Sequence, residues 1–144
     1  MVGSDSMWVS EQSVETSAEP EAIWRIWRDI PGWPVWNVDI EGADADGPLA
    51  VGTTVTLAER GVGPVKARVT EVVDGQSFTV AFDLEGATLS VVHRTALWAG
   101  KTRVYHRMVV EGANDQEVGQ MMAPIVAQRI PNILERLARL AETS

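Results

Sequence analysis

The 144-residue chain holds two histidines, His93 and His106, and no cysteine. Imidazole is the side chain that exchanges a proton most readily near neutral pH. These two residues are therefore candidates for general acid/base work, or for gripping a carbonyl or phenol oxygen. Their spacing brings them together. With a two-residue turn at Ala99-Gly100, Leu97 faces Thr102, Thr95 faces Val104, His93 faces His106, Val91 faces Met108 and Leu89 faces Val110. All five pairs fall on one mostly apolar face, and Arg94, Arg103, Tyr105 and Arg107 fall on the other. Two-residue turns at Glu85-Gly86 and Asp74-Gly75 extend the register, pairing Phe82 with Leu89, Val80 with Val91, Phe78 with His93, Val69 with Val80 and Glu71 with Phe78. Glu71, Phe78, His93 and His106 then make one row across four strands. Two readings of the histidine pair stand: a polar grip or proton-transfer couple, and two imidazoles satisfying each other within a packed sheet. No metal is expected, since Glu71 stands two strands from His93 and no third close ligand is evident.

Arg129 is the next candidate. Counting about 100° per residue from Val118, the apolar positions of the last segment centre near about 60°, and Arg129 falls at about 20°. A guanidinium buried in that sector needs a partner such as Glu71, Asp39 or a ligand carboxylate or phenolate. The alternative is a snorkelling surface arginine, because Pro124 and Pro131 disturb the helical phase. Four of the six tryptophans lie between Trp24 and Trp36. They suit stacking on a flat aromatic ligand, or wedging short helices against a long one. Met108, Met121 and Met122 suit an adaptable ligand wall, or the filling of irregular gaps. There is no Gly-x-Ser-x-Gly, phosphate loop, Gly-x-Gly-x-x-Gly or His-Glu-x-x-His pattern.

The elements that must position these residues follow from periodicity. Trp8 to Thr16 alternates as a strand. Pro20 suits a first helical turn, and Ile23, Ile26, Trp27 and Ile30 form its apolar face until Pro31-Gly32 stops it. Trp33-Pro-Val-Trp36 then predicts a short second turn of helix or a packed loop. From Asn37 to Gly112 the period is two, with six strands separated by turn residues. A long amphipathic helix from about Ala113 to Ala141 closes the chain, kinked or delayed by its prolines. The class is α+β: a mostly antiparallel sheet covered on its apolar face by that helix.

Length and charge bound the function. Residues 1–7 read as a flexible lead-in and 8–144 as one domain, and the chain's apolar content of 45% suffices for a core. Lys and Arg number 12 against 20 Asp and Glu, a net charge of −8 that disfavours nucleic acid and anionic lipid as partners. The longest uncharged run, Gly47 to Ala58, is 12 residues and is too short to span a bilayer. The N-terminus lacks a secretory pattern and there is no disulfide framework, so a cytoplasmic protein is expected.

Ser17-Ala-Glu-Pro-Glu-Ala-Ile-Trp24, Trp33-Pro-Val-Trp36-Asn, Lys101-Thr-Arg-Val-Tyr-His106 and the closing helix together resemble the START-like helix-grip (SRPBCC) superfamily. The nearest branch is the polyketide cyclase/dehydrase and lipid-transport group, and the resemblance covers about Trp8 to Glu142. It implies the helix-grip fold: a curved antiparallel sheet of about seven strands wrapped around the last helix, with two short helices after the first strand and an apolar cavity between. Within that frame the expected function is binding, or transport, of a hydrophobic aromatic small molecule. Its lining would be Trp24, Trp27, Trp36, Phe78, Phe82, His93, His106, Met108, Met122, Ile125 and Arg129. The alternative is a cofactor-independent polyketide aromatase/cyclase or dehydratase, with His93 and His106 moving protons and Arg129 polarising a carbonyl. A third reading is a co-chaperone-like interaction module with an acidic surface. No cofactor is expected, and the chain would be a monomer or weak homodimer.

Overall fold

The computed structural model describes residues 7–144. A first strand, β1 (Met7–Thr16), leads into helix α1 (Pro20–Arg28) and a 3-10 helix (Ile30–Val35). Six strands follow: β2 (Ile40–Ala45), β3 (Thr54–Glu59), β4 (Gly63–Val73), β5 (Ser77–Leu84), β6 (Ala87–Trp98) and β7 (Lys101–Glu111). The closing helix is α2 (Asp115–Glu142). The seven strands form one antiparallel sheet in the order β1-β7-β6-β5-β4-β3-β2. This is the helix-grip arrangement. Met7, placed in the lead-in by the sequence, is the first residue of β1, and the rest of that lead-in lies outside the described residues.

The β6–β7 hairpin pairs as the alternation predicts, from Leu97 with Thr102 down to Leu89 with Val110, and His93 faces His106. Phe82 with Leu89, Val80 with Val91 and Phe78 with His93 also hold. Glu71 does not. The β4–β5 loop has three residues, Asp74-Gly75-Gln76, because Val73 pairs with Ser77. A bulge between Val69 and Glu71 then absorbs the extra residue, so Val69 still meets Val80 while Val72, not Glu71, meets Phe78. Glu71 is exposed opposite Thr79. The convex face is solvated, as expected: Arg103 pairs with Glu15 at 2.8 Å, and the Arg94 guanidinium lies 3.7 Å above the Tyr105 ring.

Helix α2 packs on β1, β7 and α1. It runs through both Pro124 and Pro131 rather than starting after them. Each proline removes one helical hydrogen bond, orphaning the carbonyls of Gln120 and Ala127. Both of those residues are exposed, where solvent can satisfy a freed carbonyl. Trp27 and Ile23 of α1, Val55, Val69, Phe78, Val104 and Val110 of the sheet, and Leu137 of α2 are fully buried between the layers.

The helix approaches β1 closely at its N-terminal end, where a Cβ added to Gly119 would collide with the Trp8 indole. Gly119→Ala at an ordinary helix position should stabilise by up to about 1 kcal/mol. Here overpacking should reverse the sign, costing about 1–3 kcal/mol as read from the urea midpoint. A midpoint that rises instead would show that the helix and β1 are further apart.

Candidate functional site

Seven rings run in contact across the concave face. His93 stacks on Phe78 with ring centres 4.5 Å apart and planes 10° from parallel. Trp27 meets both edge-on, at 5.5 Å from Phe78 and 5.8 Å from His93. Trp24 adjoins Trp27 at 6.4 Å, while Trp33 stacks on Phe78 at 5.8 Å and leads to Trp36 at 6.1 Å. On the other side His106 stands edge-on to His93, with centres 5.1 Å apart. The strands supply Phe78 and the histidines through their register. The short helices supply the tryptophans, and the Trp33 indole locks them by donating to the Trp27 carbonyl at 2.9 Å.

Burial decides the electrostatics. His106 is buried, and its pKa is lowered to about 4, chiefly because the enclosed ring loses the solvation a cation needs. Its contact with its own backbone acts in the opposite direction. His93 is pushed well below the usual imidazole range, first by burial and then by the neighbouring His106. Both rings are neutral at pH 7. His106 Nδ1 is enclosed with no hydrogen-bond partner, as are the Nε1 atoms of Trp24, Trp27 and Trp36. The two histidines therefore do not satisfy each other through that nitrogen. An orphaned imidazole nitrogen flanked by aromatic faces is suited to meeting a polar atom carried in by an apolar molecule.

Not all predicted site residues gather here. Trp24, Trp27, Trp36, Phe78, His93 and His106 do, and Met108 lies two residues from His106, buried on the same face. Phe82 and Met122 are partly buried at the edge of the core. Ile125 is 43% exposed. Arg129 is exposed and pairs with Asp39 at 3.5 Å, so its guanidinium is a surface group rather than a buried one. Trp33 was not among the predicted lining residues although it stacks on Phe78. Gln12 was missed as well, and it stands opposite His106 on β1. No local spacing reveals that pairing, because β1 and β7 are joined only through the whole sheet.

Among the described residues, no group of three or more His, Asp or Glu side chains could hold a metal ion, and no helix is long and apolar enough to cross a membrane. A hollow on the sheet surface, lined by Asp44, Ala45, Asp46, Thr54, Thr56 and Lys66, is polar and shares no residue with the ring cluster.

Residues 7–142 match the family described as polyketide cyclase / dehydrase and lipid transport. The chain belongs to that family. Comparison with curated proteins finds no match. Among solved structures, the di-domain ARO/CYC StfQ from the steffimycin biosynthetic pathway superposes with a TM-score of 0.78 over 95% of this chain at 6% identity. This chain spans about half (51%) of that one. Norcoclaurine synthase from Thalictrum flavum gives 0.72, with 14% identity, over 98% of this chain and 90% of its own. Ara h 8.0201 gives 0.69, with 13% identity, over 96% of this chain and 100% of its own. At such identities the likeness is one of fold. For this member of the polyketide cyclase/dehydrase and lipid-transport family, the residues of the site must carry the rest.

Neutral buried imidazoles make stability depend on pH with a definite sign. Above about pH 6.5 the histidines are uncharged in both the folded and the unfolded chain, and their neutrality costs nothing. Below it the unfolded chain takes up protons that the folded chain refuses, so stability falls until the pH reaches about 4 for His106. The loss attributable to His106 is on the order of 3 kcal/mol. Urea midpoints between pH 7 and 4.5 should therefore drop less in His106→Phe than in the wild type. Parallel declines would mean that His106 titrates as an exposed residue.

Proposed function

We propose that the protein binds a hydrophobic aromatic small molecule between the concave sheet face and α2, with the His93–His106 pair meeting its polar edge. The observation that carries this reading is the enclosed, unpartnered His106 Nδ1 set among aromatic rings. Family membership supports it, since the family combines lipid transport with cyclase and dehydrase chemistry. A neutral imidazole accepts a hydrogen bond without an ion's desolvation cost, and the rings packed around the histidines keep their surroundings apolar.

A second reading is favoured by one further feature. The two imidazoles are adjacent, and both are neutral at pH 7. A neutral imidazole beside an acidic C–H or a leaving hydroxyl can act as a base, and its neighbour as the return path for the proton. That is what ring closure and dehydration of a polyketide-like chain require. StfQ, an ARO/CYC, shares the fold, and its class of reaction would suit this pair. Arg129 plays no part in either reading, because it is engaged with Asp39 at the surface.

Native mass spectrometry of protein purified from its own host tests the first reading, with a co-purifying apolar molecule expected. Turnover of that molecule on incubation would establish the second. Calorimetric titration with 2-naphthol gives a defined probe. His106→Phe should weaken it at least tenfold, about 1.4 kcal/mol, while leaving stability at pH 7 unchanged or raised. A variant that binds as well as the wild type would reduce the histidines to core filling.

A further inference from the structure

Both ends of β1 are tied to α2 through even-numbered residues. Trp8 occupies the space beside Gly119, and Thr16 Oγ1 donates to Glu142 Oε2 at 2.6 Å. Between them β1 pairs with β7 without a register shift from Met7 to Thr16, so its side chains alternate faces regularly. Gln12, four residues from each anchor, therefore points to the concave face. Its partner on β7 is His106, and the partner of His106 on β6 is His93. The concave face thus carries an unbroken polar row: Gln12, His106, His93.

His106 has four immediate neighbours on that face. Along its own strand they are Val104 and Met108, both buried and apolar. Across the sheet they are His93 and Gln12. Facing residues hold their Cβ atoms roughly 4.5–5.5 Å apart, within reach of a glutamine amide. The charged groups of the surrounding elements lie elsewhere. Glu11 and Glu15 of β1 pair with arginines on the convex face. On α1, Glu21, Arg25 and Arg28 are exposed, as are Glu117, Arg129, Glu135, Arg136 and Arg139 on α2, while the buried Asp115 sits by the start of β1, where the Gln116 amide donates to its carboxylate and to the Met7 carbonyl. Glu142 holds Thr16 at the far end of β1.

We propose that Gln12 is a specificity-determining residue which, together with His106, holds the hydroxyl group of a hydroxylated aromatic ligand. This rests on the aromatic-ligand reading above and deepens it. A hydroxyl is both donor and acceptor, and the two side chains meet both needs. If His106 Nδ1 carries the lone pair, it accepts the O–H while the Gln12 amide N–H donates to the oxygen. If Nδ1 carries the proton, it donates to the oxygen while Gln12 Oε1 accepts the O–H. An aryl methyl ether has no proton to give and leaves one acceptor unmatched in either case.

The test pairs 2-naphthol with 2-methoxynaphthalene in calorimetric titrations of the wild type and Gln12→Leu, alongside NMR titration of His106. The wild type should prefer 2-naphthol by about tenfold or more, as a site built around a hydroxyl does. Gln12→Leu should weaken 2-naphthol about threefold or more, because with either tautomer of His106 the hydroxyl loses one of its two partners. The His106 midpoint should rise by about half a pH unit or more in Gln12→Glu, since a facing carboxylate favours the imidazolium. Gln12→Leu that binds 2-naphthol as tightly as the wild type, or a His106 midpoint that stays put in Gln12→Glu, would overturn this inference alone. Binding of neither probe by the wild type would overturn the aromatic-ligand reading and this inference with it.

Discussion

In the β6–β7 hairpin both loop residues, Ala99 and Gly100, take positive φ, 52° and 80°. That is the backbone in which a two-residue loop matches the twist of two antiparallel strands. Alanine tolerates it at a cost, and the hairpin accepts that cost because the register it fixes decides everything on the concave face. Side chains alternate with a period of two, so a slip of one residue would turn His93, Val91 and Leu89 to solvent and bury Arg94 and Val92 in their place. The ring cluster, the neutral histidines and the seat for α2 all follow from that register.

Once the register buries two imidazoles side by side, their protonation is no longer free. His106 is enclosed with Val104, Met108 and His93 beside it, and an uncompensated cation there would be very costly. The protein keeps its charges outside: the arginines of β6 and β7 pair with Glu11 and Glu15 on the convex face, and Arg129 pairs with Asp39. Around the histidines the concave face is left with polar groups that are neutral. Such groups discriminate by matching donors to acceptors, which suits an apolar ligand carrying few oxygens better than an anion.

Much of this was legible in the residues, and the failures have physical causes. The hairpins at Glu85-Gly86 and Ala99-Gly100 could be read because each loop is two residues long and no bulge interrupts the strands. Glu71 was misplaced because the β4–β5 loop is one residue longer than Asp74-Gly75 suggests, and the bulge beside Thr70 hides the extra residue from any count of alternation. Arg129 was drawn inward by Met121 and Ile125, apolar residues that raise the hydrophobic average of their side of α2 yet are 69% and 43% exposed. The positions actually buried, Val126, Ile130, Ile133 and Leu137 among them, centre roughly 80° away from Arg129. Gln12 was invisible because its partner lies at the far end of the sheet in sequence, and only the pairing of β1 with β7 makes them neighbours.

The family fixes the frame, while the chemistry depends on whether a ligand sits against the histidine row. A crystal structure of the protein grown with 2-naphthol tests that most directly. The naphthol ring should lie between the concave sheet face and α2, with its oxygen within hydrogen-bond distance of a His106 ring nitrogen. Naphthol found only on the outer surface, with the histidine row closed over by its own side chains, would contradict that placement and the function built on it.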